Sequence, residues 1–201
     1  VKGMNREALL RRQLKAIREE LGEGDSDQIG ELRERIAGLP LPDEVRKMVS
    51  DAAKRHGSIH GCIHGAGVEE SRLLADKDEE AFQRVFNGKA LGGIALFSSL
   101  PESAWVLSMG SVAGRFGNAG QVDYSAANEA MAQACTLRPR SLHIDWTAWD
   151  DVGMAIRGGM KRLLEDRGVE LLPADAGAGL LVDLIANKIT SENGIPTSAA
   201  E

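Results

Sequence analysis

Tyrosine occurs once in these 201 residues, and aromatic side chains of every kind make up 4% of the chain. The core must rest on aliphatic packing, and any chemistry that needs a phenol has one address, Tyr124. Cysteine is as scarce. Cys62 and Cys135 stand apart without CxxC spacing, which excludes a disulfide framework and leads us to expect two buried thiols in a reducing, cytoplasmic compartment. The four histidines, His56, His60, His64 and His143, form no ligand-like cluster with cysteine or carboxylates, so no metal site is expected. No apolar run approaches the roughly 18 residues of a membrane span, and neither a signal peptide nor a membrane partner is expected. The net charge of −6 argues against nucleic acid. Also missing is an apolar strand followed by a glycine-rich turn and a helix start, the unit that brings backbone close to a pyrophosphate. Its nearest imitation, Gly22-Glu23-Gly24 with Gly30 beyond, follows the helical run EALLRRQLKAIREEL and reads as a helix stop and a loop.

What is present is enough for one core, because 43% of the residues are hydrophobic. Residues 1–42 read as a helical extension or insertion, with Leu9, Leu10, Leu14, Ile17 and Leu21 at helical spacing and a basic opposite face. From Asp43 helices and strands alternate: a helix closed by Gly57, a strand over 59–64, a helix over 79–96, a strand over 104–109, a helix over 123–134 and a strand over 141–146. That order marks a parallel sheet covered by helices, an α/β domain over 43–189. Residues 190–201 form a polar tail. Leu39-Pro40-Leu41-Pro42 is too proline-rich for a central strand.

Ligands of such sheets bind beyond the carboxyl ends of the strands, and His64 to Val68, Ser111 and Trp146 to Trp149 all fall there. Tyr124 and Asn128 are one helical turn apart and project from one face. Ser111, at the end of the strand holding Trp105 to Leu107, can face them. A phenol beside a hydroxyl suits protonation of a carbonyl oxygen, the serine donating a hydrogen bond to the same atom. An ordinary phenol, with a pKa of about 10, needs a nearby cation to lower it; Lys89 on the preceding helix-like segment is a candidate that spacing alone does not select over its neighbours. Taken singly, each residue has a plainer reading: a packed tyrosine, a turn serine, a solvated lysine, an asparagine bonded to its own backbone.

Five segments in order, HGSIHGCIHGAGV, the Lys89 helix, MGSVAGRFGNAGQVDYSAANEAM, SLHIDWTAWDDVGMA and EDRGVELLPADAGAGLL, resemble the ketoreductase domains of polyketide and polyunsaturated-fatty-acid synthases, a branch of the short-chain dehydrogenase/reductases. The likeness runs from Gly57 to Ile189. It implies a Rossmann-like parallel sheet with helices on both faces but without its N-terminal glycine-rich strand-turn-helix unit, as expected of a fragment or a domain completed by another piece of the polypeptide. By position, Lys89, Ser111, Tyr124 and Asn128 form the catalytic tetrad, with Asn128 holding the lysine and a relay water. His64, Gly65, Ala66, Gly67 and Trp146 would line the NADPH site, and Phe116, Gln121, Trp149 and Met154 the substrate. Residues 153–168 resemble a lid over the acyl chain, weakened by Gly158-Gly159. The chain departs from the family at Thr147-Ala148, Glu69-Glu70-Ser71 and Phe116. The implied substrate is a β-ketoacyl thioester on an acyl carrier protein within a megasynthase. The alternative is an inactive structural or interaction module unable to bind dinucleotide.

Overall fold

The structure is a computed structural model that describes residues 38–150, 152–154, 160–166 and 168–189, with Gly30, Glu34 and Arg35 ahead of them. Two compact units divide the chain, Val1–Pro40 and Leu41–Glu201, and everything below concerns the second. The expected helix near the N-terminus, the turn at Gly22-Glu23-Gly24, the polar tail and the Gly158-Gly159 portion of the lid lie outside the described residues.

Three strands, β1 (Gly61–His64), β2 (Trp105–Met109) and β3 (Ser141–Ile144), form one parallel sheet in that order. The register aligns His64 with Ser108 and Ser108 with His143. Helix α1 (Asp43–His56) begins on Asp43 and Glu44 and ends on Lys54, Arg55 and His56, charges that complement the helix dipole at both ends. Helix α2 (Glu79–Phe86) is capped by the Asp78 carboxylate, which accepts the Ala81 N–H at 2.6 Å. Helices α3 (Gly92–Ser99), α4 (Val112–Phe116) and α5 (Val122–Thr136) follow, then α6 (Met160–Asp166) and α7 (Ala174–Leu184). Among the described residues no helix is long and apolar enough to cross a membrane.

The core is aliphatic, as the shortage of aromatics requires: Val85, Ala90, Ala95, Val106, Leu107, Ala127 and Met131 are buried between β2 and the helices. β2 is covered on both faces, which is why its sequence is a continuous apolar run and not an alternation. A Cβ on Gly61 would sit 1.9 Å from the Trp105 ring, its register partner, so the glycine is what lets that ring lie across the strand.

Three expectations need correction. The strands are shorter than their apolar runs, and Trp146 lies beyond β3, although its carbonyl still accepts the Val112 N–H at 3.0 Å. The helix expected over 79–96 is two helices joined by a π-helical turn, Asn87–Leu91, where Gly88 and the Gly92-Gly93 pair weaken regular winding. Cys62 is only half-buried, because β1 has a strand neighbour on one side only among the described residues. As expected, 39–42 contains no strand.

Candidate active site

The π-helical turn decides the fate of Lys89. Such a turn inserts one residue into a helix and rotates the side chains around it. Here Lys89 points inward at 3% exposure, unlike the solvated charge of its plainer reading. The Lys89 ammonium donates to the Met109 carbonyl at 2.7 Å, at the carboxyl end of β2. Burial pulls its pKa down to about 8. Gly67, in the turn after β1, lies against the same side chain: a Cβ there would be 3.7 Å from Lys89 Nζ.

Ser111 caps α4. Its Oγ accepts the Ala113 N–H at 3.2 Å, which orients the oxygen and leaves its hydrogen free to donate. Asn128 is fully buried on α5, and its Nδ2 donates to the Tyr124 carbonyl at 2.7 Å while its Oδ1 has no partner. Helix α4 can approach this closely because Gly114 faces Asn128; a Cβ on Gly114 would come within 2.7 Å of the Asn128 Cβ. The Tyr124 phenol is half-buried, and the Ser111 and Asn128 side chains both act to lower its pKa.

The electrostatics correct the expectation of a lowered phenol. Burial raises the Tyr124 pKa, the Ser111 and Asn128 side chains oppose that rise, and the Glu69 carboxylate adds to it. The expected cation is at this rim, but its ammonium is engaged by the Met109 carbonyl. Lys89 acts instead on two buried imidazoles. Burial, chiefly, lowers both His64 and His143, and the positive charge of Lys89 lowers them further, so both are neutral near pH 7.

The other expected residues scatter around this centre. The His64 ring is committed to the core, its Nε2 3.0 Å from the Lys89 carbonyl oxygen and its edge against Phe97. Gly65 and Ala66 are exposed beyond β1. Trp146 is buried and its indole N–H donates to the Met109 sulfur at 3.3 Å. Trp149 packs edge-on against Trp146 and against Gly177 of α7. Phe116 is 79% exposed at the end of α4. Gln121 donates to Glu69 at 3.0 Å and to Ser71 at 3.2 Å. Met154 is half-buried outside the regular elements.

Sequence reasoning missed Glu69 as a neighbour of the phenol, and it missed the ion pair of Lys77 with Asp123, buried at 1% and 0% exposure directly before Tyr124. Lys77 falls in the charged run of 76–80, which reads as solvated surface. The one available signal was Asp123 inside an otherwise apolar helix start.

A lysine, a serine, a tyrosine and an asparagine thus lie on the elements at the carboxyl ends of a parallel α/β sheet. The sequence model of the KR domain matches residues 31–151; the chain belongs to the KR-domain family. It is 28% identical to the polyketide synthase PksN of Bacillus subtilis over 81% of this chain and 3% of that protein. It is 32% identical to the highly-reducing polyketide synthase 1 of Aureobasidium melanogenum over 74% of this chain and 7% of that protein. The chain thus spans a small fraction of the curated relatives it matches. Among solved structures, a ketoreductase domain from the bacillaene assembly line is 29% identical with a TM-score of 0.58, covering 72% of this chain and 38% of that one. The ketoreductase from the first module of phoslactomycin biosynthesis in Streptomyces shares the fold, with a TM-score of 0.65 at 22% identity over 75% of this chain and 35% of that one.

Proposed function

We propose that the chain reduces a β-ketoacyl thioester, tethered to an acyl carrier protein within a megasynthase, to the β-hydroxyacyl thioester with NADPH as reductant. The observation that carries this reading is Tyr124 bonded through its carbonyl to the buried Asn128 on α5, with Ser111 at the start of α4 and the buried Lys89 on the Met109 carbonyl at the end of β2. Kinship with the KR domains of polyketide synthases supports it.

The nicotinamide and ribose end of NADPH fits the residues present. Gly65, Ala66 and Gly67 offer backbone without side chains in the way, Lys89 lies against Gly67, and the buried Asn128 Oδ1 lacks a partner. These residues, with Trp146, would hold that end. NADPH supplies the hydride when bound. Ser111 donates its free hydrogen to the ketone oxygen, and Tyr124 gives its proton to the same oxygen as the alcohol forms. Because burial holds the phenol pKa up, Tyr124 keeps its proton at neutral pH and serves as an acid. With the Ser111 hydrogen on the ketone oxygen, Asn128 stabilises the phenolate left behind. Lys89, with a pKa of about 8, exchanges a proton near neutrality far more readily than an ordinary lysine, and through a water on Asn128 Oδ1 it would restore the phenol. Phe116, Gln121, Trp149 and Met154 are assigned to the acyl side.

A second reading, a structural module that binds no dinucleotide, is favoured by the sequence, where residues 1–42 contain no apolar strand followed by a glycine-rich turn and a helix start. Calorimetric titration of the intact chain with NADPH separates the two. We expect saturable binding that weakens in Lys89→Met; heat no greater than dilution from folded protein would transfer the case to the structural module.

A further inference from the structure

Among the described ion pairs, that of Lys77 with Asp123 is the one with both side chains sealed from solvent, at 1% and 0% exposure. It joins residues far apart in the chain. Lys77 follows a short helical turn, Leu74–Asp76, in the segment after β1; Asp123 lies in the first turn of α5. The Lys77 ammonium donates to Asp123 Oδ2 at 2.6 Å and to the Glu70 carbonyl at 2.7 Å. The other carboxylate oxygen, Oδ1, accepts the backbone N–H of Tyr124 at 2.8 Å. With Asn128 holding the Tyr124 carbonyl from one turn below, the tyrosine main chain is gripped on both sides by buried side chains.

Energetics argue that this pair is not there for stability alone. Removing two charges from water costs several kcal/mol per ion, and a well-packed apolar pair of similar volume is often as stable or more so. What a buried pair with three directed hydrogen bonds does supply is one fixed geometry. The same two segments meet in further places: the Arg72 N–H donates to the Gly120 carbonyl at 2.9 Å, and Gln121 reaches Glu69 and Ser71. Those contacts are exposed or half-exposed, whereas Lys77 and Asp123 form their buried end.

We propose that Lys77 and Asp123 are positioning residues: a buried ion pair that locks the tyrosine-bearing turn of α5 to the segment after β1 and thereby holds the Tyr124 phenol on Ser111 and Asn128. The groups facing the phenol are Ser111 at the start of α4, Asn128 on its own helix and Glu69 on the segment that Lys77 anchors. Loss of the pair frees the phenol from the first two and changes its distance from the third. The proposal rests on Tyr124 as proton donor for its functional meaning, but its geometry is tested without turnover.

Tyr124 is the sole tyrosine, so tyrosinate absorbance titrates this one phenol. In the native background Ser111→Ala, which removes a hydrogen bond favouring the phenolate, should raise the midpoint by about one pH unit. In the apolar double variant Lys77→Met/Asp123→Leu, with its fold verified by circular dichroism, the same Ser111→Ala change should move the midpoint by less than half as much. Lys77→Arg should preserve the full effect. A second variant, Asp123→Asn, keeps the side-chain volume and an acceptor and guards against misfolding of the double; in it the Ser111 effect should be partly lost. A full Ser111 effect in either folded variant overturns the proposal. Should Tyr124→Phe retain turnover while the coupling is lost as expected, the positioning stands and the reductase reading falls.

Discussion

At the amino ends of the strands the Arg138 guanidinium donates to the carbonyls of Phe97, Pro101 and Ala104, and Ser141 Oγ donates to those of Cys135 and Arg138. One nitrogen, Arg138 Nε, is left over. At the carboxyl ends Asn128 Oδ1, Ser108 Oγ and His143 Nδ1 are all buried without partners, beside a lysine whose charge has been taken out of water. An unsatisfied buried polar group costs about 1–3 kcal/mol. One end of the sheet therefore uses its polar atoms to fix loops, and the other holds buried polar atoms that no group among the described residues satisfies.

The contrast can be broken from either side. Arg138→Ala should destabilise the protein by about 3 kcal/mol, near 1 kcal/mol for each carbonyl bond lost, in denaturant unfolding, and should leave the Tyr124 ionisation midpoint where it was. A moved midpoint would show that the two ends are coupled. Lys89→Met tests the opposite end through pH. The folded pKa of Lys89, about 8, lies below its ordinary 10.5, so between these values the unfolded chain binds more protons and the native protein gains stability as pH rises. The variant lacks that gain, so its stability relative to the native protein should be highest at neutral pH. Its advantage should fall by on the order of 3 kcal/mol from pH 8 to 10.5; a constant difference would mean that the ammonium is not desolvated. Ser111→Ala should cost about 1 kcal/mol through loss of the α4 cap and at the same time raise the Tyr124 midpoint. The exposed pair of Arg84 with Glu70, 2.9 Å apart, marks the lower limit. Arg84→Ala should shift neither the unfolding transition nor the tyrosine titration.

Much of this was readable beforehand, for identifiable reasons. The parallel sheet followed from Ile59 to His64, Trp105 to Leu107 and Ser141 to Trp146 separated by helical runs, since apolar periodicity reports the buried faces directly. Tyr124 and Asn128 could be paired from helical spacing alone. Lys89 could be selected only by family resemblance, because its inward turn depends on a π-helical insertion that periodicity does not encode. The raised phenol was misread for a related reason: a pKa is set by burial and by neighbours such as Glu69, which reach the site through tertiary folding. Lys77 and Asp123 were overlooked because a charge that is buried and paired looks, in one dimension, like a charge that is solvated.

The most direct test follows NADPH absorbance while the intact chain and its Tyr124→Phe variant act side by side on a small β-ketoacyl thioester. General acid catalysis of this kind contributes about 100-fold to 10,000-fold, so NADPH consumption is expected from the native chain and a loss of that size from the variant. Equal rates in the two proteins, or no consumption by a native chain that binds NADPH, would contradict Tyr124 as the proton donor of a reductase.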